Sequence, residues 1–218
     1  SKKRFLFILK YALVYVHKTN EDGKPTIEKH IMRYPQIFAT KAIAQKIKEG
    51  NKRGIIWHTQ GSGKTALAYY NVKHLQDYFQ KENTIPKFYF IVDRLDLLKQ
   101  AKTEFINRGL SVNIVNSKQE FVSDIKKASA LHNSSGNNEI TVVNIQKFSE
   151  ESSSEAINDY DINIQRVYFL DEVHRSYNPK GSFLANLINS DKNAIIIGLT
   201  GTPLITKNLY SKDLFGDY

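Results

Sequence analysis

The sequence predicts an α/β fold in which a mostly parallel sheet carries helices on both faces. Short, continuously apolar segments alternate with amphipathic helical segments from residue 35 onward. Continuous apolar strands indicate burial on both faces, and regular alternation with helices is typical of βαβ units. A glycine-rich loop lies between one strand and a helix, and two carboxylates follow another strand. Because ligands bind beyond the carboxyl ends of parallel strands, these segments indicate a ligand site at that edge.

The periodicity of apolar residues predicts the individual elements. Helical spacing predicts helices at residues 35–49, 65–80, 96–107 and 119–131. Short buried runs predict strands at residues 55–57, 88–92, 112–115, 140–144, 167–170 and 194–199. Two polar stretches, residues 132–139 and 149–156, are interpreted as surface loops without an assigned function.

The N-terminal residues follow a different pattern. Residues 4–18 are apolar, begin like a helix and end in β-favouring side chains. Asp22-Gly23 stands between this run and a second one at residues 26–31, which is typical of a hairpin turn. We therefore predict two units, a helix and hairpin appendage at residues 1–33 and one α/β domain at residues 34–218.

Composition limits the classes of protein and partner. The 218 residues, 41% hydrophobic and 24% charged, suit a soluble globular fold with one main domain. The absence of cysteine excludes disulfides and thiolate metal sites and fits the cytoplasm, which we predict as the location. A net charge of +9 favours a polyanionic partner such as nucleic acid. The N-terminal apolar run is interrupted by Lys10 and too short to span a bilayer, so no membrane association is predicted.

The most informative stretch is Trp-His-Thr-Gln-Gly-Ser-Gly-Lys-Thr at residues 57–65. Glycines let backbone N–H groups turn inward around phosphates, and the following helix adds the positive end of its dipole. Lys64 is predicted to reach the β- and γ-phosphates of a nucleoside triphosphate, and the Thr65 hydroxyl to ligate Mg²⁺. The remaining predicted nucleotide-binding residues of this glycine loop are Thr59, Gly61, Ser62 and Gly63.

One residue departs from the common phosphate-loop pattern. The spacing G-x-x-x-x-G-K-[ST] would place glycine at position 58, where this chain has His58. The alternative interpretation is an ordinary Gly/Ser turn that precedes Lys-Thr by chance. An apolar strand before the loop and a helix-favouring segment after it favour the phosphate-binding interpretation.

Two further segments carry polar groups at strand ends. Asp171 and Glu172 follow the apolar residues 167–170, so Asp171 is predicted to hold Mg²⁺ and Glu172 to act as general base on the attacking water. His174 is predicted to link this cluster to another segment. Residues 195–199 continue into Thr200 and Thr202, whose hydroxyls are predicted to bond the cluster and respond to the γ-phosphate. Solvated turns are the alternative interpretation of each segment alone.

Taken together, these segments resemble a superfamily-two helicase or translocase, and more narrowly the R subunit of type I restriction endonucleases. The matching segments recur in family order along nearly the whole chain, at residues 57–65, 92–94, 144–148, 171–176, 199–203 and 215–218. Arg33-Tyr34-Pro35-Gln36 is similar to the adenine-reading element that precedes the glycine loop in these motors.

The resemblance implies the first RecA-like lobe of a P-loop NTPase that uses ATP and Mg²⁺ to translocate double-stranded DNA within a type I site-specific deoxyribonuclease. Gln36 would read adenine, and Arg94, Gln146 and Lys147 would contact the DNA backbone. The implied partners are duplex DNA and the methyltransferase and specificity subunits. A second lobe with an arginine finger and an upstream nuclease domain are not recognised in this sequence. We therefore expect the chain by itself to hydrolyse ATP weakly or not at all.

Two other functions fit the same motifs. The first is the ATP-binding lobe of another superfamily-two helicase, acting on RNA or in DNA repair. The second is a nucleotide-binding module that is inactive on its own. For Arg94, Gln146 and Lys147 the alternative is a surface arginine and the start of a helix, because backbone contacts leave little sequence signature.

Overall fold

The structure is a computed structural model that describes residues 2–59, 61–127, 131–145, 163–171, 191 and 193–201. Within these ranges the chain forms a two-stranded antiparallel ribbon and a six-stranded parallel sheet. Helices cover both faces of the large sheet, which confirms the predicted α/β class. None of the described helices is long and apolar enough to cross a bilayer.

The N-terminal elements are α1 (Lys2–Phe7), a π-helical turn (Ile8–Ala12), β1 (Leu13–Thr19) and β2 (Pro25–Ile31). The helices that follow are α2 (Tyr34–Lys48), α3 (Lys64–Lys81), α4 (Leu95–Asn107) and α5 (Lys118–Lys126). The strands of the large sheet are β3 (Arg53–Trp57), β4 (Ile85–Val92), β5 (Ser111–Val115), β6 (Glu139–Asn144), β7 (Ile164–Asp171) and β8 (Ile195–Thr200). Local signals fix several of these ends. Pro35 lies in the first turn of α2, and the Ser117 hydroxyl accepts the Glu120 N–H at 3.2 Å before α5.

The strand order of the large sheet is β3-β8-β7-β4-β6-β5, and every neighbouring pair is parallel. Trp57 at the end of β3 pairs with Thr200, and Asp171 at the end of β7 pairs with Leu199. The carboxyl ends of β3, β8 and β7 therefore lie side by side. The glycine loop and Asp171 are separated by a single strand, or about 10 Å between strand axes.

Two hydrophobic layers enclose the sheet, because its strands are apolar on both faces. One face packs against α2, α3 and α4, with Leu67 and Phe105 among its fully buried side chains. The other face packs Tyr89 and Tyr168, stacked at 4.9 Å between ring centroids, against α5 with its buried Phe121. Fully buried strand residues explain why the sequence shows continuous apolar runs instead of alternation.

The predicted hairpin is present, and its helical base packs on α3. The Tyr11 hydroxyl donates to Asp77 at 3.0 Å, and Lys10 pairs with the same carboxylate. The rings of Phe7 and Tyr11 meet the His74 ring edge-on, with centroid distances of 5.3 and 4.6 Å. The N-terminal segment thus packs on the helix that follows the glycine loop, and its Val14 and Val16 belong to the same hydrophobic cluster as that helix.

A buried polar network joins α5 to the sheet. Asp124, 2% exposed, accepts the Tyr89 hydroxyl at 2.9 Å and lies 3.3 Å from the Lys87 ammonium group. His132 lies between Asp124 and Glu139 and contacts both carboxylates. Burial lowers the pKa of Lys87, while its attraction to Asp124 opposes that shift.

This network explains where one prediction was wrong. The helix predicted at residues 119–131 ends at Lys126, and the backbone N–H groups of His132 and Asn133 donate to Glu139. Residues 132–139 are also not wholly a surface loop, since Glu139 is 6% exposed. The buried carboxylate needs hydrogen-bond donors, and the backbone beyond α5 supplies them.

Candidate active site

The glycine loop lies between the carboxyl end of β3 and the amino end of α3. Gly61 and Gly63 have φ of +77° and +82°, a left-handed conformation that side chains with a Cβ disfavour. The Ser62 N–H donates to the Thr59 carbonyl at 3.1 Å, which closes the turn between them. Gly63 is the residue before the first helical turn of α3, so the loop leads directly into the positive end of the helix dipole.

Gln36 of α2 holds this loop from one side. Its amide nitrogen donates to the carbonyls of Ser62 at 3.3 Å and Gly63 at 3.0 Å, and its amide oxygen accepts the Arg33 N–H at 2.9 Å. The Arg33 guanidinium adds a bond to the Gly61 carbonyl at 3.3 Å. A Cβ on Gly63 would come within 2.8 Å of the Gln36 amide nitrogen. The glycine is therefore needed for both its φ and its close contact with α2.

The loop residues fit a phosphate-bearing ligand with a divalent cation. Lys64 is the first residue of α3 and is 9% exposed, and Thr65 follows it in the same turn. The Ser62 hydroxyl oxygen is buried and has no hydrogen-bond partner among the described residues. A buried hydroxyl without a partner is costly, and a phosphate oxygen is a suitable acceptor for it.

Asp171 and Thr200 lie at the same edge of the sheet as the glycine loop. Both are buried, with 8% and 2% of their surface exposed. The His58 N–H donates to the Thr200 carbonyl at 3.0 Å, so the first residue of the loop is bonded to β8. Hydroxyl and carboxylate oxygens are the ligands that Mg²⁺ prefers, and one carboxylate with phosphate oxygens is a common set. Thr65 and Asp171 are of the chemistry needed to hold Mg²⁺.

His58 occupies the position where the common pattern has glycine. Its Nδ1 is buried and has no hydrogen-bond partner in the described part of the chain. Burial, with a contribution from the Lys64 charge, lowers the pKa of the imidazole. The lowered pKa disfavours a second positive charge beside Lys64.

The predicted DNA-contacting residues are described only in part. Arg94 precedes α4 at the carboxyl end of β4, with a 52% exposed side chain 3.8 Å from Asp93. It therefore lies at the edge of the sheet that carries the glycine loop, and its side chain is open to solvent. The predicted site residues that lie outside the described residues are Gln146, Lys147, Glu172, His174 and Thr202.

Two contacts at this site were not predicted. The sequence argument used Arg33 only as part of a four-residue resemblance, whereas its side chain and N–H both support the glycine loop through Gly61 and Gln36. Trp57 was treated as part of the apolar strand, whereas its indole N–H donates to the Gly201 carbonyl at 3.2 Å. A lone tryptophan at a strand end next to a glycine loop was the available signal.

This geometry is that of an ATP-binding α/β domain, and the SWI2/SNF2 ATPase family profile matches residues 35–218. The chain belongs to the SWI2/SNF2 ATPase family.

Curated relatives give a narrower context. The chain is 32% identical over 181 residues to an endonuclease subunit of a type I restriction enzyme from Staphylococcus saprophyticus. It is 34% identical over 161 residues to the endonuclease subunit of an enzyme from Methanocaldococcus jannaschii that is itself proposed to be a type I restriction enzyme. The alignments cover 81% and 68% of this chain but only 18% and 15% of those subunits. The predicted resemblance to type I restriction subunits is confirmed by these relatives.

A solved structure supports the fold. The ATP-dependent Type ISP restriction-modification enzyme LlaBIII, bound to DNA, superposes with a TM-score of 0.60 at 16% identity. The match covers 90% of this chain and 15% of that enzyme. The fold of this chain therefore recurs as one part of a much longer restriction enzyme.

Proposed function

We propose that this chain is the ATP-binding motor lobe of an ATP-dependent double-stranded DNA translocase in a type I restriction endonuclease. One observation carries the proposal. The glycine loop follows β3, Thr200 ends β8 and Asp171 ends β7, so all three lie at one edge of the sheet on adjacent strands. Membership of an ATPase family and the endonuclease-subunit relatives support it. In this proposal the protein acts in the cytoplasm together with duplex DNA and with methyltransferase and specificity subunits.

The proposed chemistry assigns each described side chain a separate task. Lys64 and the amino end of α3 bind the β- and γ-phosphates, and Thr65 and Asp171 hold Mg²⁺. When bound, Mg²⁺ would neutralise charge that develops on the phosphate oxygens. Glu172 would orient and deprotonate the attacking water. His174, Thr200 and Thr202 would report the presence of the γ-phosphate to the rest of the lobe.

Recognition of the base and of DNA falls to other residues in this proposal. Gln36 would read adenine through its amide oxygen, because both N–H groups of the amide already donate to the carbonyls of the glycine loop. Arg94, Gln146 and Lys147 would contact the DNA backbone. This role suits the exposed Arg94 guanidinium, which lies at the same edge of the sheet as the glycine loop. We also propose that residues 34–218 form the RecA-like domain and residues 1–33 an appendage to it.

The test is nucleotide titration of wild type and Lys64→Ala, by calorimetry with ATP and Mg²⁺. We expect Lys64→Ala to weaken ATP binding by at least about tenfold, because a charge-assisted contact to phosphate is lost. Lys81→Ala is the matched control, since Lys81 ends the same helix at its far end. Equal ATP affinity in wild type and Lys64→Ala would contradict the proposal.

A further inference from the structure

Two hydrogen bonds continue the contact between β3 and β8 beyond the strands themselves. The ladder ends at the pair Trp57 and Thr200. Beyond it, the His58 N–H donates to the Thr200 carbonyl at 3.0 Å, and the Trp57 indole N–H donates to the Gly201 carbonyl at 3.2 Å. One strand leads into the glycine loop and the other into the Thr200 segment. The two segments therefore leave the sheet bonded to each other.

Packing does not account for a tryptophan at this position. Trp57 is 60% exposed and belongs to β3, an edge strand of the sheet formed by the described residues. A large aromatic side chain that is mostly exposed gains little from apolar burial. What the indole supplies is a donor on a rigid ring, which bonds the backbone carbonyl one position beyond the ladder partner of Trp57.

Gly201 can be held only through its backbone, because it has no side chain. Its carbonyl oxygen is the group that accepts the indole N–H. The indole N–H can only donate, so Trp57 is always the donor and the Gly201 carbonyl always the acceptor in this contact. Phenylalanine at position 57 would keep an aromatic ring but remove the donor.

We propose that Trp57 is a positioning residue for ATP hydrolysis that acts through the Gly201 carbonyl. This inference rests on the proposed function, because it takes the glycine loop and Thr200 as parts of one nucleotide-responsive site. Trp57 ties the start of the glycine loop to the Thr200–Gly201 backbone, so that a shift of the loop on nucleotide binding moves that backbone with it. Trp57 itself contacts neither phosphate nor metal in this role.

The first experiment separates binding from turnover in the full-length gene product. Trp57→Phe is compared with wild type for kcat, for KM and for the Kd of a non-hydrolysable ATP analogue. We expect kcat to fall by about three- to tenfold while the Kd changes by less than about twofold. The control is Tyr15→Phe, which removes the polar group of another exposed aromatic side chain, on β1. An unchanged kcat, or a Kd that weakens as much as kcat falls, would overturn the proposal.

The second experiment uses the fact that Trp57 is the single tryptophan of this 218-residue chain. Its fluorescence is followed as ATP and Mg²⁺ are added, with saturation checked by calorimetry. We expect the emission to change on binding, and the change in Lys64→Ala to require at least about tenfold more ATP. No change in wild type at proven saturation would refute the coupling while leaving nucleotide binding intact. If calorimetry detects no ATP binding to the wild-type protein, the result counts against the proposed function.

A third variant removes the donor without changing the shape of the ring. Benzothienylalanine, which carries sulfur in place of the indole N–H, is incorporated at position 57. We expect the same drop in kcat as in Trp57→Phe, and faster hydrogen exchange of the His58 amide, because the neighbouring bond across β3 and β8 is lost. Wild-type kcat in this variant would mean that ring shape, and not the bond to Gly201, is what matters.

Discussion

Single residues of this protein carry constraints that their chemical type alone does not reveal. Gly61 and Gly63 have nearly the same left-handed φ, but only at Gly63 would a Cβ meet a neighbour, the Gln36 amide. Lys64 and Lys87 are both buried lysines, but one begins the helix after the glycine loop and the other pairs with Asp124. The surroundings of each residue, and not its identity, decide which substitution harms binding and which harms folding.

The two glycines provide a paired prediction. Alanine at either position costs about 1–2 kcal/mol of stability for the left-handed backbone. We expect Gly63→Ala to weaken ATP binding in addition, because its methyl group displaces the Gln36 amide from the loop. A Cβ at Gly61 would meet no neighbouring atom, so Gly61→Ala measures the stability cost of the left-handed backbone alone. Combining Gly63→Ala with Gln36→Ala should recover part of the stability, measured by urea unfolding; no recovery would count against the contact.

The buried network around Asp124 gives a stability prediction. Asp124→Ala removes the carboxylate that faces the buried Lys87 ammonium group, and also the acceptor of the Tyr89 hydroxyl. We expect a loss of about 3–5 kcal/mol in the free energy of unfolding, as is usual when one member of a buried ion pair is removed. Glu49→Ala, which breaks the exposed pair with Lys46, should leave the unfolding midpoint unchanged. Equal effects of the two substitutions would disprove the role of burial.

At the scale of elements, α3 serves two surfaces at once. Its first turn follows the glycine loop, and its outer face receives Phe7 and Tyr11 of the N-terminal segment around His74. Burial lowers the pKa of His74 below the ordinary value of 6.5, and the charges of Lys10, Lys41 and Lys81 act in the same direction. Asp77 opposes them. The contact with the N-terminal segment therefore favours the neutral form of the ring.

This contact predicts a pH dependence. Well above pH 6.5 His74 is neutral in both the folded and the unfolded chain, so it adds no proton-linked change there. As pH falls below 6.5, the unfolded chain binds the proton first and stability decreases until the lower folded pKa is passed. We expect His74→Phe to remove this part of the decrease, seen by comparing urea unfolding at neutral pH and at about pH 5.5. Parallel stability curves for both proteins would contradict it.

At the scale of the whole molecule, sheet order and net charge set the interaction surfaces. The order β3-β8-β7-β4 places the ends of four strands along one edge, with the glycine loop at one end of that row and Arg94 at the other. The chain carries a net charge of +9. A basic protein with an exposed arginine on this edge suits a phosphate backbone lying across it.

The corresponding prediction concerns salt. Affinity for duplex DNA should fall as salt rises, with each neutralised phosphate contributing about −0.9 to the slope of log K against log salt. Arg94→Ala should make that slope shallower by about one unit. Arg53→Ala is the control, because Arg53 begins β3 at the opposite edge of the sheet. A slope near zero in wild type, or equal slopes in the two variants, would argue against backbone contacts at Arg94.

The predicted elements agree with the structure where short-range patterns decide them. The strand before the glycine loop and the helix after it were found within two residues of the predicted ends. The prediction was wrong beyond Lys126. The local pattern favours a helix that continues past this residue, but in the structure α5 ends there. The buried Glu139 carboxylate accepts hydrogen bonds from the N–H groups of His132 and Asn133. A hydrogen bond that tertiary structure requires in this way leaves no pattern in the local sequence.

The sequence by itself determined the α/β class, the order of strands and helices along the chain, and the position of the glycine loop between a strand and a helix. Each of these depends on residues close together in the chain, through apolar spacing, helix ends and glycine conformation. Only the tertiary structure decided that β8 lies between β3 and β7, that Gln36 holds Gly63, and that Trp57 bonds Gly201. These contacts join residues 27 to 144 positions apart, and they form only when the packed core brings distant backbone groups into hydrogen-bond range.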